Sequence, residues 1–193
     1  LDSMDHLLFL HLGIATSYFD FLTYPVATLG IPAVFYFLLR KTTSIQITFL
    51  RGLRICFSWG LGYVGMWAGK WFLGSLITGI NILTTASDKL AERSSVNIAA
   101  DENLLRNMYA AVSVNVKHFI QTPATLMLGV FLLVMLIRLF CNEEKHHTTW
   151  MQTVATIFPF FVIAIMPAVL YMVTTNHSSI HYWFTGKGLI VSV

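Results

Sequence analysis

The chain has 193 residues, of which 56% are hydrophobic and only 11% charged, with a formal net charge of +3 and a mean hydropathy of +0.69. That balance leaves no charged shell for an ordinary soluble domain, so the surplus apolar surface is expected to face lipid. Nucleic-acid binding is excluded because the basic residues stand at the ends of apolar runs, where they act as topology signals, instead of forming a patch interleaved with aromatics.

The spacing of charge carries the expected fold. No Asp, Glu, Lys or Arg occurs between Phe21 and Leu39, between Phe119 and Ile137, or between His146 and Gly186. A membrane helix needs about 20 residues nearly free of charge, so each gap has room for a span. The expectation is an all-α, polytopic transmembrane helix bundle of about four spans plus a partial fifth, with an external polar segment containing short helices. The chain starts on Leu1 and stops inside the apolar run from Gly188, which suggests a piece of a larger membrane protein.

Residues 1–20 mix Leu7, Leu8, Leu10 and Leu12 with His6 and His11 and read as an external or interfacial stretch. The first span covers about 21–40, with Pro25 in its first turn and Gly30 and Pro32 as a kink. Arg40, Lys41, Arg51 and Arg54 then mark a cytoplasmic loop. A second apolar region starts at Leu53 and covers about 53–71 or longer. Gly65 and Gly69 give it the GxxxG spacing that admits a second helix, and Phe72 to Leu83 reads as a re-entrant or surface-lying continuation, unless the whole region is one tilted helix.

The segment 84–118 is the largest polar portion. It is expected outside the membrane with helical pieces at Asp88–Arg93 and Asp101–Val116, the latter with an apolar stripe of Leu104, Leu105, Met108 and Val112. A third span at 121–140, a fourth at 150–173 kinked at Pro159 and Pro167, and a partial one at 186–193 complete the reading. Cys56 and Cys141 have no CxxC spacing and read as small apolar fillers rather than a disulfide.

This topology gathers the candidate functional residues on the external side. His177 and His181 are four apart in NHSSIHYWF, a spacing that suits a phosphate, a sugar or a metal, or ordinary hydrogen bonds beside an aromatic belt. No HExxH motif or third ligand accompanies them, so no metal ligand is assigned. Asp20, at the mouth of the first span, suits a general base or a helix cap. Lys70 suits a phosphate partner or a snorkelling interfacial cation. Asp88, Glu92 and Arg93 offer a second carboxylate and an anion clamp, or simply a solvated helix face.

Three groups of strings, GIATSYFDFLTYPVATLGIP, WGLGYVGMWAGKW with LITGINI and AERSS, and NHSSIHYWFTGK, resemble a group of uncharacterised bacterial polytopic membrane proteins similar in build to the GT-C class of membrane glycosyltransferases. The resemblance implies transfer of a sugar from a polyprenyl-phosphate-linked donor to a cell-envelope acceptor at the external face of the bacterial cell membrane. In that reading Asp20 or Asp88 activates the acceptor hydroxyl, Lys70 and Arg93 neutralise the leaving phosphate, and Asn176, His177 and His181 bind phosphate or sugar. No cofactor is implied, although some members of the class use a divalent cation. The expected partners are membrane lipids, the rest of the polypeptide and other membrane subunits. The chain lacks the external Asp-Asp or Asp-Glu signature of the class near its first span. A transporter or flippase using the Gly30–Pro32 and Pro159/Pro167 breaks, or a non-catalytic assembly module, is the alternative.

Overall fold

The computed structural model describes residues 2–19, 25–40, 44–93, 103–123, 125–126, 129–130 and 150–192. The described residues hold no strand. Helices α1 (Asp2–Tyr18), α2 (Pro25–Leu39), α3 (Ile45–Thr78), α4 (Ile82–Arg93), α5 (Leu104–Ile120), α6 (Trp150–Val173), α7 (Thr175–Ile180) and α8 (Tyr182–Thr185) are followed by a 3-10 segment, Gly186–Ser192.

The longest helix, α3, begins where Ser44 accepts a hydrogen bond from the Ile47 amide, an N-cap that satisfies one orphan donor. It continues into the Phe72–Leu83 region expected to be re-entrant or surface-lying and stops within it at Gly79, whose φ of 69° is the left-handed conformation that glycine adopts without a Cβ clash. The Ser75 hydroxyl then accepts from the Ile82 amide at 3.1 Å, which ties the start of α4 to the last turns of α3.

Helix α1 packs most extensively on α3. Their contacts rise together along both chains, from His6 Nδ1 with the Ser58 hydroxyl at 3.3 Å, through Leu10 beside Gly62, to Ser17 beside Lys70, so the two helices are parallel. The backbones meet at Gly13 and Gly62, where a Cβ would overlap the carbonyl oxygens of Trp59 and Leu10. At the GxxxG pair Gly65 and Gly69, by contrast, an added methyl group would meet no described atom within 4 Å.

Helix α2 runs the other way. Its start joins α1 through a 2.9 Å hydrogen bond from the Thr16 hydroxyl to that of Thr28, and its last residues meet the start of α3, where the Arg51 guanidinium donates to the Arg40 carbonyl at 3.2 Å. Phe49 of α3 and Phe37 of α2 lie with Phe158 and Pro159 of α6, whereas Pro25 at the other end of α2 lines a groove with Leu170 and Val173, so α6 runs from the Arg40 end to the opposite end. The core lies between these four helices, with Phe9, Leu29, Ala33, Phe37, Ile55 and Ile163 buried together.

The span count is corrected by this structure. Among the described residues only Trp150–Val173 is both long and apolar enough to cross a membrane, against the expected four spans and partial fifth. Helix α2 is apolar but has 15 residues, about 22 Å at 1.5 Å per residue, short of a hydrocarbon core of about 30 Å. Helix α3 has the length, but its glycines, tryptophans, Ser58 and Lys70 dilute its apolar character. Most of 121–140 lies outside the described residues, and 186–192 is a short 3-10 segment packed on α6 and α2. Long gaps between charges show where charge is absent, which is a weaker condition than continuous apolarity over a full span.

Of the stripe expected on α5, Leu104, Met108 and Val112 are half-buried and Leu105 is exposed, and the fully buried residues of the helix are Ala111 and Asn115.

Candidate functional site

Two features adjoin at the end of the bundle where α6 terminates: a buried polar network that fixes α7 and α8, and an apolar groove that runs down α6.

The network is centred on Asn115 of α5, which is 0% exposed. Its Nδ2 donates to the carbonyls of Ala111 at 2.8 Å and Ser178 at 2.9 Å, and its Oδ1 accepts from the Thr185 hydroxyl at 2.5 Å. One side chain thereby joins α5 to α7 and α8. Tyr171 reaches from α6 to donate to the Thr185 carbonyl at 2.7 Å, and the Thr174 and Ser178 hydroxyls lie 2.8 Å apart. A buried amide carries a large desolvation cost unless its donors and acceptor are matched, and at Asn115 they are. Gly186 passes close to Asn115, where a Cβ would stand 3.3 Å from its backbone carbonyl oxygen and 3.7 Å from its Oδ1, a tight fit that the absence of a side chain relieves.

The network positions the histidines. The His181 amide donates to the His177 carbonyl at 3.0 Å, which keeps the one-turn spacing although α7 ends at Ile180, and the two rings lie 4.8 Å apart. His181 meets Trp183 edge-on at 5.5 Å, and His118 of α5 meets Tyr182 edge-on at 5.2 Å. The result is a half-buried aromatic and imidazole surface, suited to hydrogen bonding and stacking with a polar ligand such as a sugar or phosphate. Among the described residues no group of three or more His, Cys, Asp or Glu side chains is arranged to hold a metal ion.

The groove has a volume of about 500 Å³ and lies between α2, α3 and α6. Its α6 wall consists of Phe158, Phe161, Val162, Ile165, Met166, Val169, Leu170 and Val173, which recur at helical spacing on one face. From Phe158 to Val173 that face is about 22 Å long. Pro25, Val26 and Leu29 form the opposite wall near the α6 terminus, and Trp59 contributes its ring from α3.

The sequence candidates are distributed as follows. His177 and His181 are brought together, with Asn176 half-buried on the same short helix. Lys70 is on α3 at this same end, and its ammonium donates to the carbonyls of Ser17 at 3.1 Å and Tyr18 at 3.4 Å, at the C-terminus of α1. A cation there satisfies orphan carbonyls and complements the helix dipole. Asp88 is exposed on α4. Arg93 and its neighbour Glu92 close α4, but their side chains lie outside the described set, as does the whole of Asp20. Sequence reasoning missed Asn115, Ser178, Thr185 and Tyr171. A signal existed for Asn115 alone, a polar residue one turn after Ala111 on the face that also carries Met108.

Comparison with protein-family models, with curated proteins and with solved structures finds no match.

Proposed function

We propose that the protein works in a membrane and holds the hydrocarbon chain of a polyprenyl-phosphate-linked donor in the α2–α3–α6 groove, so that its sugar is presented to a cell-envelope acceptor at the His177 end. The observation that carries this reading is the groove, an open apolar channel on the one described helix that meets the length and hydropathy of a span.

Two arguments support a lipid setting. Only 22% of the most apolar stretch of α6 is buried, whereas the core helix of a soluble protein is mostly enclosed. Phe35, Phe57, Leu61, Val64, Phe161 and Val169 are exposed on three different helices, and water-soluble monomers rarely leave contiguous apolar surface on that scale.

The division of labour follows from the solvent. A chain that leaves lipid for an apolar groove gains no hydrophobic free energy, because lipid tails are as apolar as the groove. Selectivity must come from the headgroup, and the polar side chains near the α6 terminus include His177, His181 and Asn176, with Lys70 at the same end of the bundle. Among the described residues the groove lining offers no ionisable side chain, which favours a chain-holding site over a translocation path for a charged headgroup. In the transfer reading Asp88 is the described carboxylate suited to activate the acceptor hydroxyl, with Asp20 the other candidate.

A diazirine-bearing polyprenyl phosphate, photolysed with the detergent-solubilised protein and mapped by peptide mass spectrometry, tests the reading. Label is expected on residues 158–173 and 25–29. Label spread evenly over all exposed apolar surfaces would reject a specific chain site. Sugar turnover unchanged in both Asp20→Asn and Asp88→Asn would remove the assigned bases.

A further inference from the structure

The Arg40 end of the bundle, opposite the histidines, is not used by the proposed function and carries a concentration of cations beside exposed apolar side chains. Arg51 and Arg54 are three apart on α3, so they project from neighbouring positions of one helix face. Arg40 closes α2, and its carbonyl accepts from Arg51. Asp5, 3.3 Å from Arg40, and Asp2 one turn earlier on α1 are the acidic residues of the described helices at this end, and no ion pair of Arg51 or Arg54 is found among the described residues.

The surroundings of these guanidinium groups are apolar. Leu39, immediately before Arg40, is 82% exposed, and Leu50, Leu53 and Phe57 are exposed beside Arg51 and Arg54. Trp150, exposed at the first residue of α6, stands at this end as well. Cations on an apolar flank match the layered chemistry of a membrane surface, in which phosphate lies above acyl chain. An aqueous protein partner would leave Leu39 and Phe57 to find apolar counterparts of their own, whereas a bilayer supplies both layers at once.

We infer that the Arg40–Arg51–Arg54 end binds the phosphate headgroups of anionic phospholipids in one leaflet and thereby sets the depth and orientation of the protein. A guanidinium presents five donors in a planar fork that matches a phosphate, and Arg51 commits one of them to the Arg40 carbonyl. Arg51 is therefore already aimed along the end of the bundle, with further donors for an anion. The inference rests on the membrane setting proposed above but not on sugar transfer.

The test uses the full chain reconstituted in phosphatidylcholine vesicles with trace spin-labelled phosphatidylglycerol or phosphatidylcholine. The ratio of motionally restricted to fluid label gives the relative association of each lipid. Phosphatidylglycerol is expected to associate more strongly, and a basic residue near an acidic surface contributes about a fivefold preference. The R51Q/R54Q double variant should bring the ratio close to one, R51K/R54K should retain most of it, and added salt should weaken it. Equal association of the two lipids with the wild type, or an undiminished preference in R51Q/R54Q, overturns the inference. A chain that never enters phosphatidylcholine vesicles overturns the membrane setting instead, and helicity by circular dichroism confirms that the variants are folded.

Discussion

Gly13 of α1 is pressed against the carbonyl of Trp59 on α3, and a Cβ in its place would overlap that oxygen and approach the Tyr63 nitrogen to 2.9 Å. The reciprocal contact, Gly62 against the Leu10 carbonyl, makes the α1–α3 crossing a glycine-to-backbone joint on both sides. Backbone atoms cannot swing away as a side chain does, so the helices must separate to admit a methyl group. Gly13→Ala and Gly62→Ala are each expected to cost about 1–3 kcal/mol. Gly65→Ala and Gly69→Ala meet open space and should be neutral or stabilise by up to about 1 kcal/mol, because alanine favours the helix. Thermal unfolding in detergent, followed by circular dichroism, separates the two pairs. Equal effects at all four positions would disprove the joint.

The glycine joint also shows what sequence alone carries. GxxxG spacing singles out Gly65 and Gly69, yet the close approach occurs at Gly13 and Gly62, because it depends on the register of two helices that are distant in sequence. The helix at 150–173 was legible to the residue, since its uncharged apolar run leaves a single choice of element. For α3 the same reasoning located a helix but overstated its membrane character, because a count of charges gives no weight to Gly60, Trp67 and Trp71. The pair His177 and His181 was legible from its spacing. The amide that holds their helices in place was not, since Asn115 acquires its role from carbonyl and hydroxyl partners more than sixty residues away.

Asn115→Leu removes both donors and the acceptor at the centre of the buried network. The Ser178 carbonyl loses its 2.9 Å donor and keeps the Thr185 hydroxyl at 3.5 Å, while that hydroxyl loses its 2.5 Å acceptor and is left with the His181 carbonyl at 3.1 Å. An unsatisfied buried group costs roughly 1–3 kcal/mol, so a loss in this range is expected. The variant should also accelerate amide exchange specifically across α7 and α8. Uniform acceleration over the whole chain would show that Asn115 stabilises the bundle at large and not the histidine helices.

A single substitution separates the capping contacts of Lys70 from its proposed part in phosphate binding. Its contacts with the Ser17 and Tyr18 carbonyls end α1 with a cation, worth about 0.3–1 kcal/mol at an exposed site. Lys70→Met keeps the apolar stem and removes that charge, so a modest loss of stability is expected. If Lys70 also receives a phosphate, the same variant should lower polyprenyl-phosphate capture at least tenfold, far more than its stability loss explains. Unchanged capture would leave Lys70 as a helix cap and nothing more.

The chain-holding role of the groove is tested by filling it. Val162 and Val169 stand two turns apart on the α6 wall, 42% and 52% exposed, so a larger side chain at either position extends into the groove without displacing core atoms. Val162→Trp and Val169→Trp should therefore leave stability within about 0.5 kcal/mol of the parent. Each indole would take up a substantial part of a space of about 500 Å³, and photocapture of a polyprenyl phosphate should fall sharply. Phe35→Trp adds a similar surface on α2 at an exposed position that does not line the groove, and it should capture the lipid as the parent does. If all three variants lose capture equally, the label reports general contact with apolar helices. If none does, the lipid chain lies elsewhere, and the groove is packing space between α2, α3 and α6.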